Sequence, residues 1–252
     1  MRSHWKDNVA FILVEPEEQG NIGASARVMK NMGFQSLMLV NPPQISNDAL
    51  CVAHGAEDVL TEAKIFKDLT EAIRSSSLVI GTSRRRGRKR GPFLTPWQAA
   101  QRIYETAQAN KVALLFGRES RGLYNEEVKH CSLMINIPTA PSQPSLNLSH
   151  AVAVIAYELL RFDYEIGGQR GRFLMPLVTQ QEMEGLLENM QRSLRVLGYI
   201  PQDNHNKKEN LMLNIRRFLG RAGLTPWELN MLQGLCARIE KMFGQSDILS
   251  KK

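Results

Sequence analysis

The chain has 252 residues, of which 43% are hydrophobic and 23% charged, enough to bury one sizeable core and still carry a smaller appendage. Eighteen glycines and eleven prolines are ordinary numbers and exclude a wholly disordered chain. The formal charge of +7 is compatible with simple solubility but equally favours an acidic partner, nucleic acid being the commonest.

In chain order, short apolar runs at residues 9–14, 36–40, 78–80, 112–116 and 133–137 read as strands. Each is rich in β-branched or large apolar residues and bounded by turn residues. Helical stretches separate them, which predicts an α/β domain with a mostly parallel sheet buried on both faces. Residues 22–32 carry apolar side chains at helical spacing. Asp68-Leu69-Thr70-Glu71 and Thr95-Pro96-Trp97-Gln98 read as capping boxes, with Pro96 at a first helical position where its missing N–H costs nothing. A long apolar helix over residues 146–161 closes this domain.

Residues 164–178 hold Gly167-Gly168, Gly171 and Pro176 and read as a linker. It divides a domain of residues 1–163 from one of residues 179–252. The second is predicted to hold three helices. One buries Met183, Leu186, Leu187, Met190, Leu194 and Leu197; the next Leu211, Ile215, Phe218, Leu219 and Ala222. The last opens on a Thr225-Pro226-Trp227-Glu228 capping box and presents Leu229, Leu232, Leu235 and Ile239.

Several chemistries are disfavoured. There is no phosphate-loop motif, no GxGxxG fingerprint after the first strand and no Gly-x-Ser-x-Gly elbow. Cys51, Cys131 and Cys236 are isolated, which predicts neither a disulfide framework nor a zinc ribbon and fits a reduced, cytoplasmic setting. The five histidines show no metal-ligand spacing, so no metal site is expected. No stretch approaches the roughly 18 apolar residues of a membrane span, and a soluble protein is expected.

Three segments sit at the C-terminal ends of predicted strands, where open α/β sheets place ligands. They are Asn21-Ile22-Gly23-Ala24-Ser25-Ala26-Arg27, then Phe116-Gly117-Arg118-Glu119-Ser120-Arg121-Gly122-Leu123, then Ile137-Pro138-Thr139 continuing to Pro144-Ser145-Leu146-Asn147-Leu148. Singly, each has a structural explanation as well: Asn21 and Asn147 as helix caps, Gly117 and Gly122 as turn residues. The run Arg84-Arg85-Arg86-Gly87-Arg88-Lys89-Arg90 places six positive charges among seven residues and suits phosphate contacts, or else a solvated loop.

Together and in this order the three segments resemble the signature motifs of the SPOUT RNA methyltransferases, in the TrmH-like branch. The likeness extends to one group of tRNA ribose methyltransferases. It takes in residues 21–33, Val40-Asn41-Pro42, Gly55-Ala56-Glu57-Asp58, Gly81-Thr82-Ser83, and also Glu228-Leu229-Asn230 and residues 235–240 in the C-terminal helices. Gln143 departs from it, standing where an aromatic residue is expected just before Pro144-Ser145 of the third motif.

The resemblance implies a knotted SPOUT fold, with an α/β trefoil knot, followed by the small helical domain. It implies S-adenosylmethionine as cofactor, held by Leu115, Gly117, Glu119, Ile137, Leu146 and Asn147. It implies a homodimer and methyl transfer to a tRNA ribose 2′ oxygen, at nucleotide 32 of the anticodon loop. Arg27, Asn21 and Ser145 are then the candidate catalytic residues, and Arg84, Arg85, Arg86, Arg88, Lys89 and Arg90 the candidate RNA contacts. Ribosomal RNA, another tRNA position, or RNA binding without catalysis are the competing readings.

Overall fold

A computed structural model describes residues 4–85, 87, 91–166, 175–200 and 205–243, the side chains of 205–207 excepted. It divides into two compact units, Met1–Met175 and Pro176–Lys252.

The first unit opens with a 3-10 turn, His4–Asn8, and then runs β1 (Val9–Val14), α1 (Gln19–Asn31), β2 (Leu37–Val40), α2 (Asn47–Ala53), α3 (Glu57–Thr61), β3 (Lys64–Phe66) and α4 (Leu69–Ile73). It continues with β4 (Leu78–Thr82), β5 (Phe93–Leu94), α5 (Pro96–Ala107), β6 (Val112–Phe116), α6 (Asn125–Val128), β7 (Leu133–Ile135) and α7 (Leu148–Glu165). The seven strands form one sheet in the order β3-β2-β1-β6-β4-β7-β5, and every adjacent pair is parallel.

Side-chain alternation along each strand divides the core between the two faces of the sheet. Phe11, Leu13, Leu114 and Phe116 enter one cluster with Ile22 and Met29 of α1, Ile103 of α5 and Val152 and Ile155 of α7. Their neighbours Ile12, Val14, Ala113 and Leu115 enter the other, with Leu69 and Ile73 of α4 and Val128 of α6. Burial on both faces explains why these strands are continuous apolar runs in the sequence. α1 packs very closely on α2: a Cβ on Gly23 would lie 2.2 Å from the Ala49 carbonyl oxygen.

Of the predicted capping boxes, that of α4 forms by half: Asp68 accepts hydrogen bonds from the Thr70 and Glu71 N–H groups. Thr95 and Gln98 close the box of α5 behind Pro96. The edge strands β3 and β5 were not among the predicted strands. They are three and two residues long and lie at the sheet margins, where Lys64 and Ile65 stay exposed and no apolar run is required.

The second unit holds α8 (Gln180–Val196), α9 (His205–Ala222) and α10 (Pro226–Phe243). Capping boxes at Thr179–Glu182 and Thr225–Glu228 start α8 and α10. Val178, Met183, Leu186, Leu187, Leu219, Leu224 and Leu229 make its core. Four residues expected on buried faces instead face solvent: Ala222 is exposed, and Leu197, Phe218 and Leu235 are 44%, 62% and 55% exposed. A three-helix unit of this size covers a narrow stripe of each helix, and these positions lie at its margins. Of the expected linker, residues 167–174 lie outside the described residues, and residues 164 and 165 belong to α7.

Candidate active site

The loops that follow β4, β6 and β7 meet at the carboxyl ends of these adjacent strands and enclose an open cleft of about 800 Å³, mouth included. Its walls mix apolar side chains, Phe116, Ile135, Ile137, Leu146 and Leu148, with the polar loop from Gly117 to Gly122. Ser83, Arg84 and Arg85 border it from the β4 side, and Ser145 from the β7 side.

The loop after β6 folds tightly on itself. Gly122, at φ +65°, donates its N–H to the Arg118 carbonyl at 2.7 Å. A Cβ on Gly117 would lie 2.2 Å from both the Gly122 carbonyl carbon and the Leu123 nitrogen, so only glycine fits there.

A hydrogen-bond chain ties the three signature segments together. Asn21, 6% exposed, donates from Nδ2 to Glu119 Oε1 at 2.8 Å and accepts at Oδ1 from Asn147 Nδ2 at 2.7 Å. Asn147 in turn caps α7, its Oδ1 accepting from the Ser149 N–H at 2.9 Å and the His150 N–H at 3.3 Å. The Glu119 carboxylate also accepts from the Glu17 and Glu18 N–H groups, holding the turn that leads into α1. Capping and pairing are thus one arrangement here, and Asn21 bridges Glu119 to Asn147.

Beneath the loop lies Arg118, 7% exposed. Its guanidinium forks onto Glu127 at 2.8 and 3.1 Å, reaches Glu15 Oε2 at 2.8 Å, and lies 4.0 Å from the ring centre of Tyr124. Burial works against its charge, but the hydrogen bonds and charges of Glu127 and Glu15 outweigh burial and hold its pKa above the ordinary guanidinium value.

Of the predicted cofactor residues, Gly117, Glu119, Ile137 and Leu146 line the cleft. Asn147 sits beside it in the clamp. Leu115 does not line it: its side chain is fully buried on the opposite face of β6 from Phe116, and its carbonyl accepts from Thr82 Oγ1 at 3.0 Å. Among the predicted catalytic residues, Ser145 lines the cleft and Asn21 anchors the clamp. Arg27 is exposed on α1 and is not among the cleft-lining residues. Six residues beyond Asn21, it lies about 240° further round the helix. Of the basic run, Arg84 and Arg85 border the cleft, and Arg85 Nη2 donates to the Arg121 carbonyl at 2.7 Å. Arg86, Arg88, Lys89 and Arg90 lie outside the described residues. Arg118, Glu15 and Glu127 were not singled out from the sequence as an ion-pair cluster, because an isolated arginine between Gly117 and Glu119 carries no signal of its distant partners.

An all-parallel sheet with a cleft at its carboxyl edge, formed by the loops after β4, β6 and β7 and tied to the first motif through Asn21, defines a class. The chain belongs to the SpoU methylase family: residues 8–157 match the SpoU rRNA Methylase family. Residues 181–248 match the C-terminal domain of the tRNA methyltransferase TrmJ. Over 247 residues the chain is 36% identical to the tRNA (cytidine/uridine/adenosine-2′-O-)-methyltransferase TrmJ of Pseudomonas aeruginosa, covering 94% of this chain and 95% of that one. It is 35% identical to the tRNA (cytidine/uridine-2′-O-)-methyltransferase TrmJ of Pectobacterium atrosepticum, covering 93% and 98%. The crystal structure of TrmJ from Z. mobilis ZM4 superposes with a TM-score of 0.76 at 32% identity, covering 92% of this chain and 98% of that one.

Proposed function

We propose that this chain is an S-adenosylmethionine-dependent tRNA ribose 2′-O-methyltransferase that acts on nucleotide 32 of the anticodon loop. The observation that carries the reading is the clamp Glu119–Asn21–Asn147, which binds the three signature segments together at the edge of the cleft. The names of the full-length relatives support tRNA over ribosomal RNA as substrate.

The cleft fits the cofactor. Ile137, Leu146 and Phe116 offer apolar surface for a nucleobase, and the tight turn from Gly117 to Gly122 brings backbone near it without an intervening side chain. Gly117, Ile137 and Leu146 would hold the cofactor, with Glu119 and Asn147 bracing them from behind and Leu115 contributing as the strand that carries the loop. When bound, S-adenosylmethionine supplies an electrophilic methyl group. The protein's share of the rate then comes mostly from positioning the ribose hydroxyl in line with it.

Arg27 orients the hydroxyl or its neighbouring phosphate and stabilises negative charge developing on the oxygen. A guanidinium is a poor proton acceptor and a good hydrogen-bond donor, so this role suits it better than that of a base. Ser145, at the cleft border, offers a hydrogen bond to the same ribose. Arg27 is exposed and does not line its own cleft, which favours a homodimer in which Arg27 of one subunit serves the cofactor bound by the other; the dimer and the trefoil knot belong to this proposal. Arg84 to Arg90 supply phosphate contacts, which makes RNA affinity fall steeply with salt.

Transfer of labelled methyl from S-adenosylmethionine to bulk tRNA, followed by mapping of the modified nucleotide, tests the reading. Label is expected on the ribose of nucleotide 32. Arg27→Ala is expected to lower kcat by about 100-fold or more while leaving cofactor binding intact, as removal of one charge-stabilising group does. Label appearing on ribosomal RNA alone would overturn the substrate while leaving the reaction class.

A further inference from the structure

Arg118 has no part in the chemistry above, yet it is the most heavily engaged cation among the described residues. It joins the cleft-forming loop to which it belongs to Glu15, 103 residues away just after β1, and to Glu127 of α6, nine residues on. Glu15 is held at φ +46°, a left-handed conformation that a glutamate adopts only at a cost. Its carboxylate accepts from Nε of Arg118 at 2.8 Å and lies 2.8 Å from Nη2 as an ion pair. Glu127 has a second duty, accepting from the Tyr124 N–H at 2.6 Å to cap α6. The Tyr124 ring covers the guanidinium.

A buried ion pair is seldom retained for stability, since apolar residues of similar volume stabilise as well or better. What it provides is fixed geometry: a planar fork with several partners admits one arrangement. Arg118 immediately precedes Glu119, the acceptor of the Asn21 clamp, and itself borders the cleft. A rotation of the backbone at Arg118 would turn the Glu119 carboxylate off Asn21 and open the turn that Gly122 closes on the Arg118 carbonyl.

We propose that Arg118, fixed by Glu15 and Glu127, is a positioning residue that sets the shape of the cofactor-binding loop, and so governs affinity for S-adenosylmethionine rather than for RNA. The proposal rests on the cofactor reading given above. It differs from a general stabilising role in what it moves. A structural weakening of the unit would degrade cofactor and tRNA parameters together, whereas a loop-shaping residue acts on the cofactor alone.

The test measures S-adenosylmethionine affinity by calorimetry and the KM for tRNA by methyl transfer, in the full-length wild type, Arg118→Lys and Glu15→Gln. Lysine keeps the charge but not the fork. Cofactor affinity in Arg118→Lys is expected to fall about tenfold with the tRNA KM within about twofold of wild type, the scale of loss that small misplacements cause. Glu15→Gln, at a carboxylate still 43% exposed, is expected to weaken the cofactor about threefold and carries the test if the lysine variant does not fold. Unchanged cofactor affinity in a folded variant overturns the proposal, and so does an equal rise in both parameters. A wild type that binds no S-adenosylmethionine overturns the cofactor reading itself, and this inference with it.

Discussion

The sheet unit and the helical unit are held together in different ways. In the sheet, Phe11, Leu13, Ile12, Leu114 and Leu115 are all wholly buried, because the central strands β1 and β6 are covered on both faces and every residue along them is committed to one core cluster or the other. In the helical unit, Leu186 alone among the core residues is wholly buried, and α9 and α10 leave Phe218 and Trp227 largely exposed. A helix commits only one stripe to its neighbours, so its remaining positions are open to change. The unit that carries the cleft therefore has little tolerance for an added or removed methyl group, and the helical unit has more.

The largest expected effect tests that intolerance at the cleft. Gly117→Ala would place a methyl carbon 2.2 Å from the backbone of Gly122 and Leu123, neither of which can rotate aside as a side chain would. The loop must open. Loss of measurable S-adenosylmethionine binding by calorimetry is expected, with a stability cost of about 1–3 kcal/mol. Retained binding would mean the loop yields far more readily than its packing implies.

A matched pair sharpens the comparison of the two cores. Leu114 in β6 and Leu186 in α8 are the same side chain, both at 0% exposure. Leu→Ala costs about 2–5 kcal/mol, and the position within that range reflects how far the surroundings collapse into the cavity. Leu114 is locked between strands paired on both sides, so Leu114→Ala is expected near the upper end. Leu186 faces only helices that can shift, so Leu186→Ala is expected near the lower end. Denaturant titrations followed by far-ultraviolet dichroism measure both. Equal losses would remove the distinction.

The same difference decides what was legible in the sequence. Central strands that must be apolar throughout are visible as runs, and β1 and β6 match the predicted spans at 9–14 and 112–116. The three C-terminal helices show in their periodicity and capping boxes. The short edge strands β3 and β5 bury too little to leave a pattern, and which face of α9 and α10 would be covered depends on partners that periodicity does not reveal. The site divides similarly. The three motif segments, and a bracing role for Glu119 and Asn147, stand out through family resemblance, while the place of Asn21 between those two does not, because Asn21 meets Asn147 across 126 residues and Glu119 across 98. Arg118 and Glu15, 103 residues apart, are paired by the adjacency of β1 and β6.

The smallest expected effect is opposite in sign. Gly234 lies inside α10, exposed, and a Cβ added there meets nothing within 4 Å. It is therefore a helical glycine without a steric reason to be glycine. Alanine restricts the unfolded chain and favours the helical conformation, so Gly234→Ala is expected to raise the stability of the helical unit by about 0.5–1 kcal/mol. The measurement is the denaturation midpoint, with methyl transfer assayed alongside. Against Gly117→Ala the contrast is direct, since the same added methyl is excluded by backbone in one unit and meets open space in the other. A gain in stability with a fall in tRNA affinity would have a different meaning: the open space beside Gly234 would then be surface that RNA approaches closely, and glycine would be kept there for contact rather than for the fold.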